Sequence, residues 1–182
     1  MYNTLMIKLV YDKEVDNKCW VRYQDFLNRN GNVWGLSREI KQIFTVNNLE
    51  MVASVEDILS VYDQVFKIPR PPLSGFVVTT PFSMINDGEI FSTEGIIYYS
   101  LFTPNPSIVF AHELFHIYFE KYTKRQILNY EESKEYFTVI MNDLFSKEVS
   151  KGYPPHQEVR KKIFDTWLQT KSLDKCIGVL AN

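Results

Sequence analysis

Apolar side chains recur at helical spacing through much of this chain and gather into short extended runs elsewhere. From Asn17 to Asn30, Trp20, Tyr23, Phe26 and Leu27 fall on one helical face, and Asn30-Gly31-Asn32 ends the stretch. Ser37 opens a second predicted helix, with Ile40, Ile43 and Phe44 on one side. Ser54 opens a third, which carries Val55, Ile58, Leu59, Tyr62 and Phe66. Glu56 and Asp57 lie in its first turn, where negative charge suits the helix dipole, and it must stop before Pro69-Arg70-Pro71-Pro72. Two further runs read as strands, Gly75 to Thr80 and Gly95 to Leu101, with a turn signal at Asn86-Asp87-Gly88 between them. Thr4 to Tyr11 is a third short candidate strand.

The second half is helical. Ile108 to Tyr118 is apolar nearly all round, with Asn105 as N-cap and Pro106 at the first helical position; polar Tyr122 to Arg125 ends it. Asn129 to Val149 predicts one long helix with Tyr136, Phe137, Ile140, Met141, Leu144 and Phe145 on its apolar side, broken by Gly152-Tyr153-Pro154-Pro155. Gln157 to Thr170 and Ser172 to Leu180 follow. The pattern predicts an α+β chain: one domain over 1–182, with a mainly helical portion to residue 72 and a small sheet before the Ile108 helix in 73–182.

Composition narrows the function. At 45% apolar and 15% aromatic residues the chain packs a core and is not disordered. A net charge of -2, with no long basic run, gives no attraction for nucleic acid or an anionic membrane. No stretch is long enough to span a bilayer, and Met1 to Asp12 lacks the form of a secretory signal. Cys19 and Cys176 are far apart and read as reduced thiols. These features predict a cytoplasmic protein; its oligomeric state is left open.

The chemistry lies in His112-Glu113-Leu114-Phe115-His116. On a helix, histidines four residues apart project from one face, a turn apart, so two imidazoles can grip one metal ion. Glu113 sits one step round, within reach of a water on that metal. Two of the three histidines in the chain are here, in an apolar helix where unpartnered polar groups would cost several kcal/mol, a cost that a metal removes.

In these residues the chain resembles the zincin metallopeptidases. The resemblance implies a zincin-like domain, a catalytic Zn2+ bound through His112 and His116, Glu113 as general base, and a protein or peptide substrate. It also implies that the strand before the motif helix, Gly95 to Leu101, offers its edge to an extended peptide. The metzincin continuation is missing, because His116 is followed by Ile117-Tyr118-Phe119-Glu120-Lys121-Tyr122, without its glycine or third histidine. His156, beside Pro154-Pro155, reads as a surface residue. A glutamate of the next helix is left, as in the gluzincins, and Glu131, Glu132 and Glu135 are the candidates. Burial on the helical wheel favours Glu132. The order in thermolysin-like proteins favours Glu131 as ligand with Glu135 behind it, and Glu131 is the expected third ligand. Oxyanion stabilisation needs a further donor, and Tyr118, Tyr122 and Tyr130 are near in sequence, but the sequence does not choose among them and none is assigned. In size the chain is similar to the cytoplasmic zinc peptidases of mobile elements that clip repressors, although Lys134 and Thr138 stand where those proteins carry alanines. A peptidase delivered to another cell is compatible with the same residues. The alternative class is a zincin-fold binding or regulatory module without turnover, against which the presence of Glu113 argues.

Overall fold

A computed structural model of the chain describes residues 9–30, 53–80, 84–85, 95–100, 106–146, 150–152 and 154–181. The chain divides into two compact units, Met1–Ile58 with Pro71–Glu113 and Leu59–Arg70 with Leu114–Asn182. Each draws residues from both sides of the Pro69–Pro72 run. Helices α2 (Ala53–Phe66) and α3 (Pro106–Thr123) run through both. Helices and a small, mainly parallel sheet make the chain compatible with the α+β class.

The first unit holds β1 (Leu9–Tyr11), α1 (Lys13–Asn30), β2 (Leu73–Val78), β3 (Met84–Ile85) and β4 (Gly95–Ser100). Helix α1 starts four residues before the expected Asn17, because the Asp12 side chain caps it. Asp12 Oδ1 accepts from the Glu14 and Val15 amides at 2.7 and 3.1 Å. The sheet order is β1-β2-β4-β3; the first three strands run parallel and β3 antiparallel to β4. Strand β2 begins and ends two residues earlier than expected. Strand β4, expected to offer its edge to a peptide, is interior, paired with β2 on one side and β3 on the other. That reading is corrected because strand β3, only two residues long, escapes a periodicity argument.

A buried polar cluster ties α1 to the end of β2. The Asp16 carboxylate is fully buried and accepts from the Thr79 amide at 2.9 Å and from its hydroxyl, while Trp20 Nε1 donates to that hydroxyl oxygen at 2.9 Å. A charge taken out of water is tolerated when its lone pairs are filled in this way. The Ser100 hydroxyl donates to the Thr80 carbonyl, linking the ends of β2 and β4.

The second unit is helical. Besides its share of α2 and α3 it holds α4 (Tyr130–Phe137), α5 (Met141–Leu144), α6 (Gln157–Thr170) and α7 (Leu173–Gly178). Its core is aromatic: Tyr62 and Phe66 of α2 meet Phe115 and Tyr118 of α3 at ring separations of 5.4–5.8 Å. Such edge-on and tilted pairs add about 0.5–1.5 kcal/mol each beyond area burial. Helix α6 has its expected ends, and Ser172 caps α7 by accepting from the Lys175 amide. The single helix expected from Asn129 to Val149 is instead divided, with a 3-10 turn at Thr138–Ile140 between α4 and α5. The helix expected after Ser37 and the turn at Asn86-Asp87-Gly88 lie outside the described residues. Both cysteines are free and buried.

Candidate metal centre

Helix α3 begins at Pro106 as the sequence predicts, since proline at the first helical position loses no hydrogen bond. Its aromatic side sets its rotation: Phe115, Tyr118 and Phe119 are fully buried. With those residues held, His112 and Glu113 come out half-buried and His116 is 3% exposed.

Helix α4 supplies the third group. Phe119 of α3 packs against Phe137 of α4 at 4.6 Å and stacks on Tyr130 at 6.4 Å. Asn129, in the left-handed region at φ 48°, starts the helix, and the Ser133 hydroxyl donates to the Leu128 carbonyl at 2.6 Å. These contacts fix the level of α4 along its axis. Glu135 Oε1 then lies 3.1 Å from His116 Nε2. Ligand atoms of His112, His116 and Glu135 all lie within 4.8 Å of one another.

The expected ligand Glu131 is not brought to the histidines. Its carboxylate is 64% exposed and bonds Lys134 Nζ at 2.7 Å, with Arg125 at 4.0 Å. Glu132 turns the other way and meets His156 Nε2 at 3.3 Å. Thus Glu135, expected behind the ligand, is the carboxylate that stands beside His116, while Glu131, the expected ligand, lies at the surface. Glu131 and Glu135 share one side of α4 and differ by four residues, about 6 Å along the axis. Sequence spacing gives the side and not the level. The sequence carries no signal for that level: Thr138, three residues on from Glu135, is polar, and only the structure shows it buried. His156 is half-buried, with the Tyr136 ring edge-on at 4.8 Å, so it is not the surface residue expected.

The three tyrosines are likewise resolved. Tyr118 donates to Asp63 Oδ1 at 2.6 Å, and Arg70 holds the other oxygen of Asp63 through Nε and Nη2 at 3.0 and 2.6 Å. Burial, then the Asp63 carboxylate, push the Tyr118 hydroxyl far above its ordinary range. Tyr122 donates to Asp174 at 2.7 Å; burial and that bond push it up to about 12. Tyr130 lies under the Arg125 guanidinium at 5.3 Å, and burial raises it too. Tyr118 and Tyr122 thus spend their protons on carboxylates that brace α3 against α2 and α7.

Does this donor set fit a metal? Two imidazoles and a carboxylate are the ligand types of a catalytic zinc, at about 2.0–2.2 Å each. Donors round a tetrahedral ion therefore stand about 3.3 Å apart, and the 3.1 Å between His116 and Glu135 matches this. His112 offers the third donor within the 4.8 Å span of the set. The set fits. A separate cleft of about 910 Å³ in the second unit, lined in part by Phe66, Tyr122, Trp167 and Lys171, contains none of these groups. No family model matches the chain, and no curated protein or solved structure matches it either. Among the described residues no helix is long and apolar enough to cross a membrane.

Proposed function

We propose that this protein is a zincin-like, zinc-dependent metallopeptidase of the gluzincin type that hydrolyses peptide bonds. The observation that carries the reading is the meeting of Glu135 with two histidines one helical turn apart, beside Glu113. His112, His116 and Glu135 would hold the metal. A zinc ion there supplies Lewis acidity toward a peptide carbonyl and lowers the pKa of a water toward about 7. Glu113 takes a proton from the attacking water as its oxygen bonds the carbonyl carbon. The same carboxyl then delivers the proton to the amine nitrogen as the C–N bond breaks. Glu113 is half-buried on the same helix as both histidines, so its position relative to them is fixed by one rigid element. Phe115 and Phe119, stacked at 5.8 Å, and the packing behind them hold that helix still.

The partner is a peptide or protein, and the place of action proposed is the cytoplasm, which two free buried thiols suit. The 3.1 Å contact of His116 with Glu135 also has the length of a direct histidine–carboxylate hydrogen bond. It therefore suits a second reading, a binding module of similar fold without turnover. Metal content of protein purified without chelator, measured with cleavage of a peptide library, separates them. Stoichiometric zinc, lost in His116→Ala, together with cleavage is the expected result. Zinc without cleavage favours the second reading, and a wild type that cannot be loaded with zinc overturns the first.

A further inference from the structure

Arg160 of α6 is 2% exposed, and its described hydrogen bonds all end on uncharged oxygens. Nη1 donates to the Glu135 carbonyl at 2.5 Å, to Thr138 Oγ1 at 2.9 Å and more weakly to the Tyr136 carbonyl at 3.4 Å. Nη2 donates to the Ser150 carbonyl at 2.8 Å and to its hydroxyl oxygen at 3.1 Å. The hydroxyl protons then follow. Thr138 gives its proton to the Glu135 carbonyl at 2.8 Å, so across the 2.7 Å contact Ser150 must be the donor to Thr138.

This knot does two things to α4. In a continuing α-helix the Glu135 carbonyl serves the amide of residue 139; here it receives a guanidinium and a hydroxyl, and the chain turns 3-10 from Thr138. It also fastens the peptide of Glu135 to α6 and to Ser150, itself held through the Asn142 side chain at 2.9 and 3.1 Å. Gly152 makes room for the guanidinium. Its φ is +67°, and a Cβ there would stand 2.3 Å from Arg160 Nε.

We infer that Arg160 is a positioning residue for the metal centre, pinning the main chain of Glu135 so that its carboxylate stays level with His116. The inference rests on Glu135 being a metal ligand, as proposed above. Burying a full positive charge on carbonyls and hydroxyls is expensive for mere packing, and the charge that offsets part of that cost is the Glu135 carboxylate itself. A planar fork that spans two segments at once is what the task needs, and a lysine, with one nitrogen, cannot span them.

The test is zinc affinity, by competition with a chromophoric chelator, for wild type, Arg160→Lys, Glu135→Gln and the double variant. Arg160→Lys is expected to weaken zinc by about 10–100-fold, the range for partners that orient a ligand. Glu135→Gln is expected to weaken it more, and the double variant no further, because the arginine acts through the carboxylate. The visible spectrum of cobalt-loaded Arg160→Lys should differ from wild type in the same sense as that of Glu135→Gln. Should Arg160→Lys fail to fold, Thr138→Val takes its place. It keeps the shape, removes the hydroxyl that accepts from Arg160 and donates to the Glu135 carbonyl, and is expected to weaken zinc several-fold. Wild-type zinc affinity in the folded variant, or losses that add in the double variant, overturn the inference. Equal zinc affinity in wild type and Glu135→Gln removes Glu135 as a ligand and so the reading beneath it.

Discussion

Helices α3 and α4 carry the candidate ligands between them and reach their positions by different means. Helix α3 is apolar on nearly every side, and its setting comes from rings: Phe115 and Tyr118 against Tyr62 and Phe66, Phe119 against Phe137. Helix α4 is short and largely polar, with only Ser133 and Phe137 buried within it. Its end is set by hydrogen bonds from Arg160 of α6 to the Glu135 carbonyl and from Ser150 to Thr138. Apolar packing holds a helix by its whole surface and leaves its own residues free for chemistry. Hydrogen bonds to a carbonyl hold one peptide, and with it one side chain.

The largest effect should come from removing chemistry on α3 while sparing its packing. Glu113→Gln fills the same space but cannot take a proton from water. Peptide cleavage is expected to fall about 10²–10⁴-fold with zinc content unchanged; equal cleavage rates would remove Glu113 as the base. Breaking the packing of the same helix is the complementary experiment. Phe115 is fully buried among Tyr62, Phe66 and Phe119, and Phe115→Ala is expected to lower stability by about 3–5 kcal/mol in denaturant titrations.

On α4 the outcome should depend on the turn probed. Glu135→Gln should weaken zinc by more than about 100-fold, beyond what an orienting neighbour contributes. Glu131→Gln should bind zinc like wild type, because its carboxylate faces Lys134 and solvent. The reverse result would return the ligand to Glu131 and shift α4 by a turn. Loss of the Lys134–Glu131 pair should cost at most about 1 kcal/mol, as exposed pairs do.

The last effect is an alkaline one. Burial pushes the Cys176 thiol up to about 11, whereas an unfolded chain releases that proton near 8.5. The unfolded state therefore sheds the proton first. Stability is full below about pH 8.5 and is lost as pH rises through about 11. Melting temperature should decline across that window, and less steeply in Cys176→Ala; parallel declines would assign the loss to other groups.

Much of this was legible in the residues themselves. Pro106 marked the start of α3, the ends of α6 fell where expected, and the four-residue spacing of His112 and His116 put both on one face. These features depend on neighbours along the chain, so local sequence carries them. Other features turned on partners far away in sequence. Which glutamate comes beside His116 depended on the level of α4 against α3, set by Phe119 and Phe137. The break falls at Thr138, whose hydroxyl accepts from Arg160, twenty-two positions on. Tyr118 and Tyr122 looked available until Asp63 and Asp174, more than fifty positions away, accepted hydrogen bonds from them. Strand β4 became interior only once β3 paired beside it. Spacing along a helix sets the direction in which a side chain points. Depth along the helix axis and the partner of a polar group come from long-range contacts, and those exist only once the chain has packed.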